Sequence, residues 1–240
     1  MDDGVRTEAR IARHRLTDGV EALRANAQPF GLTLAAVLLL GVGYYQFGII
    51  QRLIDALTAA KVAGGIAGAA LANIIASLLI PELAKLASGM PTVERRDLPF
   101  LAVLFGIIGI AVDLLYAALA KAFGTSVDVA TVLKKMMIDM FMFTPLVSMP
   151  LSVIGFALHG DRYEWRRTRA RFHSGELAER YISLTLTAWC FWIPAVCVVY
   201  AMPSTVQFMV AMFAEAGWAL LLVHLSKAVR TEPVEVPKSS

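Results

Sequence analysis

Charge is what this sequence has least of. Asp, Glu, Lys and Arg make up 17% of its 240 residues, against 58% apolar side chains, where a soluble domain is about a quarter charged. The mean hydropathy of +0.64 sets the chain outside the ordinary soluble class. Cysteine is nearly absent. Cys190 and Cys197 lie seven residues apart in one apolar run, on one helical face about two turns apart and too far to bond to each other. They build neither a disulfide framework nor a metal motif and read as small apolar residues facing lipid or a neighbouring helix. The four histidines, His14, His159, His173 and His224, are dispersed without metal spacing. Nucleophile elbow, Walker loop, dinucleotide fingerprint and HExxH are all missing. The expectation is a non-enzyme without a cofactor. The formal charge of +3 is too small to point to a nucleic acid.

What remains is long apolar runs. Inside hydrocarbon a backbone must satisfy its own polar groups, so such runs are helices or strands of a closed barrel. Barrel strands alternate apolar and polar over about ten residues. Residues 30–40 and 71–80 are apolar or small on all sides, so helices are expected. Six segments approach the roughly twenty residues that a span needs: 30–50, 62–80, 98–120, 136–158, 181–202 and 205–226. The second is rich in Gly and Ala, with Gly64, Gly65 and Gly68, which lets backbones approach closely; Pro81 and the loop 88–99 should end it. The last two are joined only around Met202, Pro203 and Ser204 and should form a helical hairpin.

The basic residues test this map. Segments 1–29, 81–97, 159–180 and 227–240 hold 17 Lys and Arg, and the alternate connections hold 5. Positive charge accumulates on the cytoplasmic or matrix side, so the expected fold is an all-α polytopic transmembrane bundle of six spans with both termini on that side. Residues 1–29 contain five arginines but also five acids, unlike a transit peptide or a secretory signal. Val5, Ala9, Ala12, Leu16, Val20 and Leu23 fall at helical spacing, which fits an amphipathic surface helix or a solvated charged one. The expected organisation is this segment, a transmembrane domain over 30–228 and a polar tail over 229–240.

Ionisable groups at membrane depth are costly, about 2.5–3.5 kcal/mol on insertion scales, so each asks for a reason. Asp113 lies in the middle of the third span, either facing a pore or cation site or bonded to a donor on a neighbouring helix. Asp139 stands one turn after Lys135, and an i, i+4 ion pair at the interface would neutralise it. Lys134 and Lys135 would mark the membrane edge, where long stems snorkel. Glu215, beside Ala211, Ala214 and Gly217, has Gln207 and His224 two turns away on its own helix. Pro145, Pro150 and Pro194 interrupt helical bonding and mark kinks or openings towards a cavity. Met136, Met137, Met140 and Met142 form a soft surface beside that break, with a packed core as the default. Arg162, Arg166, Arg167, Arg169, Arg171 and Arg180 crowd one connection; it reads as a topology determinant that also touches anionic lipid headgroups.

At the fourth span the residues become recognisable. Lys135–Met136, then Asp139 three residues on and Pro145 after a short apolar stretch, resembles the signature of the Mpv-seventeen / peroxisomal membrane protein twenty-two family. Gly109, Tyr116 and Leu119 are similar to that family's Gly-Pro, Trp-Tyr and Leu spacing. Trp192–Ile193–Pro194 resembles its Trp-x-Pro element, and Pro203, Trp218 and Leu225–Ser226 its closing pattern. The resemblance covers about 55–228. Departures are Ile110 and Leu115 for the family's Pro and Trp, Ala72–Asn73 for its Gly-Asp, Gln207 for an arginine, and a missing asparagine between Pro194 and Pro203.

The resemblance implies a small membrane protein of mitochondrial inner, peroxisomal or vacuolar type with a four-span core and channel-like passage of small solutes. The first span would be an addition. An acid-containing N-terminus favours a bacterial cytoplasmic membrane over an organelle. The expected function is a pore for small solutes or ions, with Asp113, Asp139, Lys135, Tyr116, Pro145 and Trp192 as its residues and a homo-oligomer as one way to enlarge the lumen. The alternative is a non-transporting scaffold or stress-related protein that binds partner helices and anionic lipid.

Overall fold

A computed structural model describes residues 27–231; the expected surface helix over 1–29 and the tail over 229–240 fall almost wholly outside the described residues. The described chain is helical, without strands. We number the helices α1 (Ala27–Gln46), α2 (Gly48–Ala87), α3 (Leu98–Phe123), α4 (Val129–Gly160), α5 (Trp165–His173), α6 (Glu176–Tyr200) and α7 (Gln207–Thr231). Five of them, α2, α3, α4, α6 and α7, are long and apolar enough to cross a membrane. The 26 residues of α3 reach about 39 Å at 1.5 Å per residue, beyond a hydrocarbon core of about 30 Å. These are the helices of an integral membrane protein.

The first correction concerns the connection expected over 51–61. The chain turns at Phe47 alone and continues as helix from Gly48. Arg52, Asp55 and Lys61 gave this stretch the look of a loop, yet Ile50, Ile54 and Leu57 recur at helical spacing, and Ile54 is fully buried. The break comes later, at Gly65 (φ 55, ψ −132), a backbone region that only glycine enters freely. Pro81 does not end the helix either. The i→i−5 turn Ile75–Leu79 precedes it. That wider turn relieves the clash between a proline ring and the carbonyl four residues back, and α2 runs on to Ala87.

The close approach expected of the Gly-rich span occurs, but through its partner. Gly106 and Gly109 of α3 lie on Ala69, Ala70, Asn73 and Ile74 of α2, and a Cβ on Gly109 would overlap the Asn73 side chain and sit 2.8 Å from the Ala69 carbonyl oxygen. Helix α4 also starts earlier than expected. Asp128 caps it, accepting bonds from the Thr131 amide at 3.0 Å and the Ser126 hydroxyl at 2.6 Å. Those bonds, Ser126 first, hold its carboxyl well below the usual range. Lys134 and Lys135 therefore fall in the second turn of a helix that begins at Val129.

The α6–α7 hairpin forms as expected. Gln207 closes it by donating from Nε2 to the Met202 carbonyl at 2.9 Å. Helix α1 packs on both: Gly41 meets Val198, Gly217 meets Thr33, and Phe30 lies edge-on to Trp218 at 5.7 Å. The α2–α3 and α4–α5 connections meet at one end of the bundle. There the Tyr163 hydroxyl donates to Asp97 at 2.8 Å, and His159 Nε2 lies 3.2 Å from the other carboxylate oxygen. At the opposite end the Tyr45 hydroxyl donates to the Ala201 carbonyl at 3.1 Å.

Candidate functional site

The site grows from the break in α4. Residues Asp139–Ser148 wind as a π-helix, with the Met149 amide bonded to the Thr144 carbonyl five residues back. In this register Pro145 would have bonded the Met140 carbonyl, and Pro150 the Pro145 carbonyl, had either carried an N–H. Two prolines five residues apart thus free two carbonyls inside the bundle. Helix α6 supplies both missing donors: Trp189 Nε1 to Met140 O at 2.8 Å, and the Tyr181 hydroxyl to Pro145 O at 2.8 Å. The prolines and the aromatic donors form one device, which holds the widened turn open without leaving buried acceptors unpaired.

Beside this turn lies a cavity of about 90 Å³ whose polar lining is Asn73, Tyr116, Asp139, Thr144, Ser148 and Glu215, with Trp192 as an aromatic wall. Asp139 is buried and accepts the Tyr200 hydroxyl at 2.7 Å. Tyr200 meets Tyr116 edge-on at 5.3 Å. Ser77 Oγ stands 3.0 Å from Glu215 Oε1 and 3.2 Å from Asn73 Oδ1, and its single proton serves one of them at a time. Asn73 Nδ2 donates to the Phe105 carbonyl at 2.6 Å, tying α2 to α3. Neither Asp139 nor Glu215 has an ion-pair partner among the described residues.

A second cavity, of about 230 Å³, lies towards the Ala201 end. Asp113 and Lys61 form an ion pair within it, and the Lys61 ammonium sits 4.9 Å over the Phe208 ring. Thr58, Ser204 and Thr205 complete its polar lining. The one residue common to both cavities is Tyr116. At the other end Leu78, Leu101 and Leu104 pack into an apolar cluster, and Leu104 presses on Gly155 so closely that a Cβ there would meet it at 2.5 Å.

Several expectations need correction. Lys135 does not pair with Asp139: Tyr200 holds the carboxylate, and the Lys135 ammonium is buried with no hydrogen-bond partner among the described residues, its residue 1% exposed. Among the described residues Asp113 bonds neither a hydroxyl nor a backbone group; its partner is Lys61, from the stretch expected to be a loop. Glu215 turns to Ser77 of α2 and not to Gln207 or His224 of its own helix. The four methionines divide, with Met136 and Met140 in the core and Met137 and Met142 exposed. Tyr116, Asp139 and Trp192 do meet around one cavity, next to the turn that contains Pro145. Tyr200 and Ser77 carry no local sequence signal, because their partners lie 61 and 138 residues away, and the Asn73 bond to Phe105 spans 32. The position of Asn73, where the resembled family carries an acid, was the one signal available.

The chain matches no family model, no curated protein and no solved structure.

Proposed function

We propose that this is a channel-like membrane protein passing small solutes or ions. In this reading it crosses a bacterial cytoplasmic membrane six times, with both ends on the basic, cytoplasmic side. The observation that carries the reading is a pair of cavities, each lined by apolar residues around ionisable side chains, Lys61 and Asp113 in one and Asp139 and Glu215 in the other, with Tyr116 lining both. Ionisable groups at membrane depth are costly and point to function, and the Asp139 cavity lies beside the proline-bearing π-turn. The pathway would enter at Lys61 and Asp113, pass Tyr116, and reach Asp139 and Glu215. The Leu78–Leu101–Leu104 cluster would narrow its far end. Helix α1, 20 residues long and so about 30 Å, supplies the sixth span. The resemblance at Lys135, Asp139, Pro145 and Trp192 agrees with passage of small solutes.

The test is flux. The full chain in proteoliposomes should release monovalent cations or small neutral solutes faster than protein-free liposomes, and Asp139→Asn should change cation preference. Absence of flux for wild type and for Tyr116→Ala would overturn the reading and favour the scaffold alternative.

A further inference from the structure

Helix α5 is the least apolar helix of the bundle and is fixed at both ends. Before it, Arg162 (φ 53) and Tyr163 (φ 65) both adopt the left-handed conformation, which is costly for residues with a side chain. Tyr163 is anchored there by its bond to Asp97 and by the Phe100 ring at 5.0 Å. After it, Gly175 (φ 82) turns the chain into α6. The nine residues between are therefore presented at a set angle across the ends of α4 and α6.

Their charges are not equivalent. Arg167 is paired with Glu164 at 2.6 Å, and Arg171 is clamped by Asp161 at 3.1 Å and Glu176 at 2.7 Å. Arg166 and Arg169 have no ion-pair partner among the described residues. Trp165, Arg169, Phe172 and His173 fall at i, i+4, i+7 and i+8 and share a helical face. On it Trp165 and Phe172 are 58% and 64% exposed. This face borders a cavity of about 380 Å³ whose floor is Ile154 of α4 and Leu177 of α6, with Arg169 and His173 at its rim. Arg169 Nε donates to His173 Nε2 at 3.3 Å, holding the two rim groups together.

We infer that this corner is a binding site for one anionic phospholipid, with its phosphate at Arg169 and Arg166 and the first part of an acyl chain on Ile154 and Leu177 between Trp165 and Phe172. Free phosphate would account for the arginines but not for two large exposed aromatics over an apolar floor. The place is where a headgroup lies, at the end of one long apolar helix and the start of another. Trp165, apolar in body with a polar N–H at one edge, belongs at that depth, and Phe172 adds apolar surface beside it. The inference does not depend on whether the bundle conducts.

The experiment uses the full chain, delipidated in detergent and incubated with equal amounts of phosphatidylglycerol and phosphatidylcholine, with bound lipid counted by native mass spectrometry. One phosphatidylglycerol should be retained in preference to phosphatidylcholine. Arg166→Ala and Arg169→Ala should each weaken retention roughly fivefold, whereas Arg167→Ala should not change it. Trp165→Ala with Phe172→Ala should lose the lipid as well. Millimolar inorganic phosphate should leave the lipid in place. Equal retention of both lipids, retention unchanged in the Arg166/Arg169 double variant, or displacement by inorganic phosphate would overturn the assignment. Both arginines are exposed and have no ion-pair partner among the described residues, so their replacement leaves the fold intact, which an unchanged size-exclusion profile verifies.

Discussion

Replacing Lys135 by methionine isolates the cost of an ammonium group that the fold buries and that has no hydrogen-bond partner among the described residues. Methionine keeps a similar unbranched length and adapts to irregular space, so the substitution removes the charge with little change in packing. A buried donor left unmet costs about 1–3 kcal/mol, and more when it is charged. The insertion cost of a lysine is about 2.5–3.5 kcal/mol at the bilayer centre and smaller near a helix end, where Lys135 lies in the second turn of α4. The unfolded chain in detergent recovers part of this, so Lys135→Met should stabilise the protein by about 1–3 kcal/mol. For a chain of this size that corresponds to a rise in Tm of roughly 2–12 °C, read by thermal unfolding of the purified protein in detergent. Lys134→Met, one residue away on the exposed face, is the control and should shift Tm little. A fall in Tm for Lys135→Met, or equal shifts for both variants, would refute the claim that the Lys135 ammonium has no compensating partner.

Three further outcomes follow from the geometry. Gly109→Ala forces a methyl group onto Asn73 and the Ala69 carbonyl and should cost about 1–3 kcal/mol, whereas Gly31→Ala, with open space around it, should be close to neutral; similar unfolding temperatures for the two would contradict the α2–α3 contact. Trp189→Phe should cost about 1–3 kcal/mol by orphaning the Met140 carbonyl, and much less in a Pro145→Ala background where an amide can take its place; strict additivity in that double-mutant cycle would refute the coupling. Asp97 is held below the usual carboxylate range by the Tyr163 hydroxyl and then by His159, and Asp161 by the Thr168 hydroxyl and then by Arg171. A depressed folded value means stability that is present above about pH 4 and lost as pH falls through the folded value. Thermal stability should thus decline below about pH 4, and Asp97→Asn should flatten that decline; an unchanged acid slope would count against it.

The parts of the fold that were legible are those with a local cause. Helices α3 and α6 and the α6–α7 hairpin come directly from apolar length and the short Met202–Ser204 turn. The Phe47 turn and the helix after it were missed because Arg52, Asp55 and Lys61 look like a loop when charge is weighed before spacing. Lys61 is charged for a different reason, since it meets Asp113 across 52 residues of chain. The i, i+4 spacing of Lys135 and Asp139 invited a pairing that Tyr200 pre-empts, and no periodicity reveals a competitor from another helix. Pro145 and Pro150 announced a break, but their five-residue separation becomes meaningful only in π register, with Trp189 and Tyr181 supplying the donors.

Flux through the Tyr116→Ala variant tests the central claim most directly, because among the described residues Tyr116 alone lines both the Asp113 and the Asp139 cavity. In proteoliposomes matched for protein content and orientation, the account predicts faster release of small solutes or cations from the variant than from wild type, with Tyr116→Phe close to wild type. A variant that folds normally and is no more permeable than wild type would contradict the placing of a pathway there.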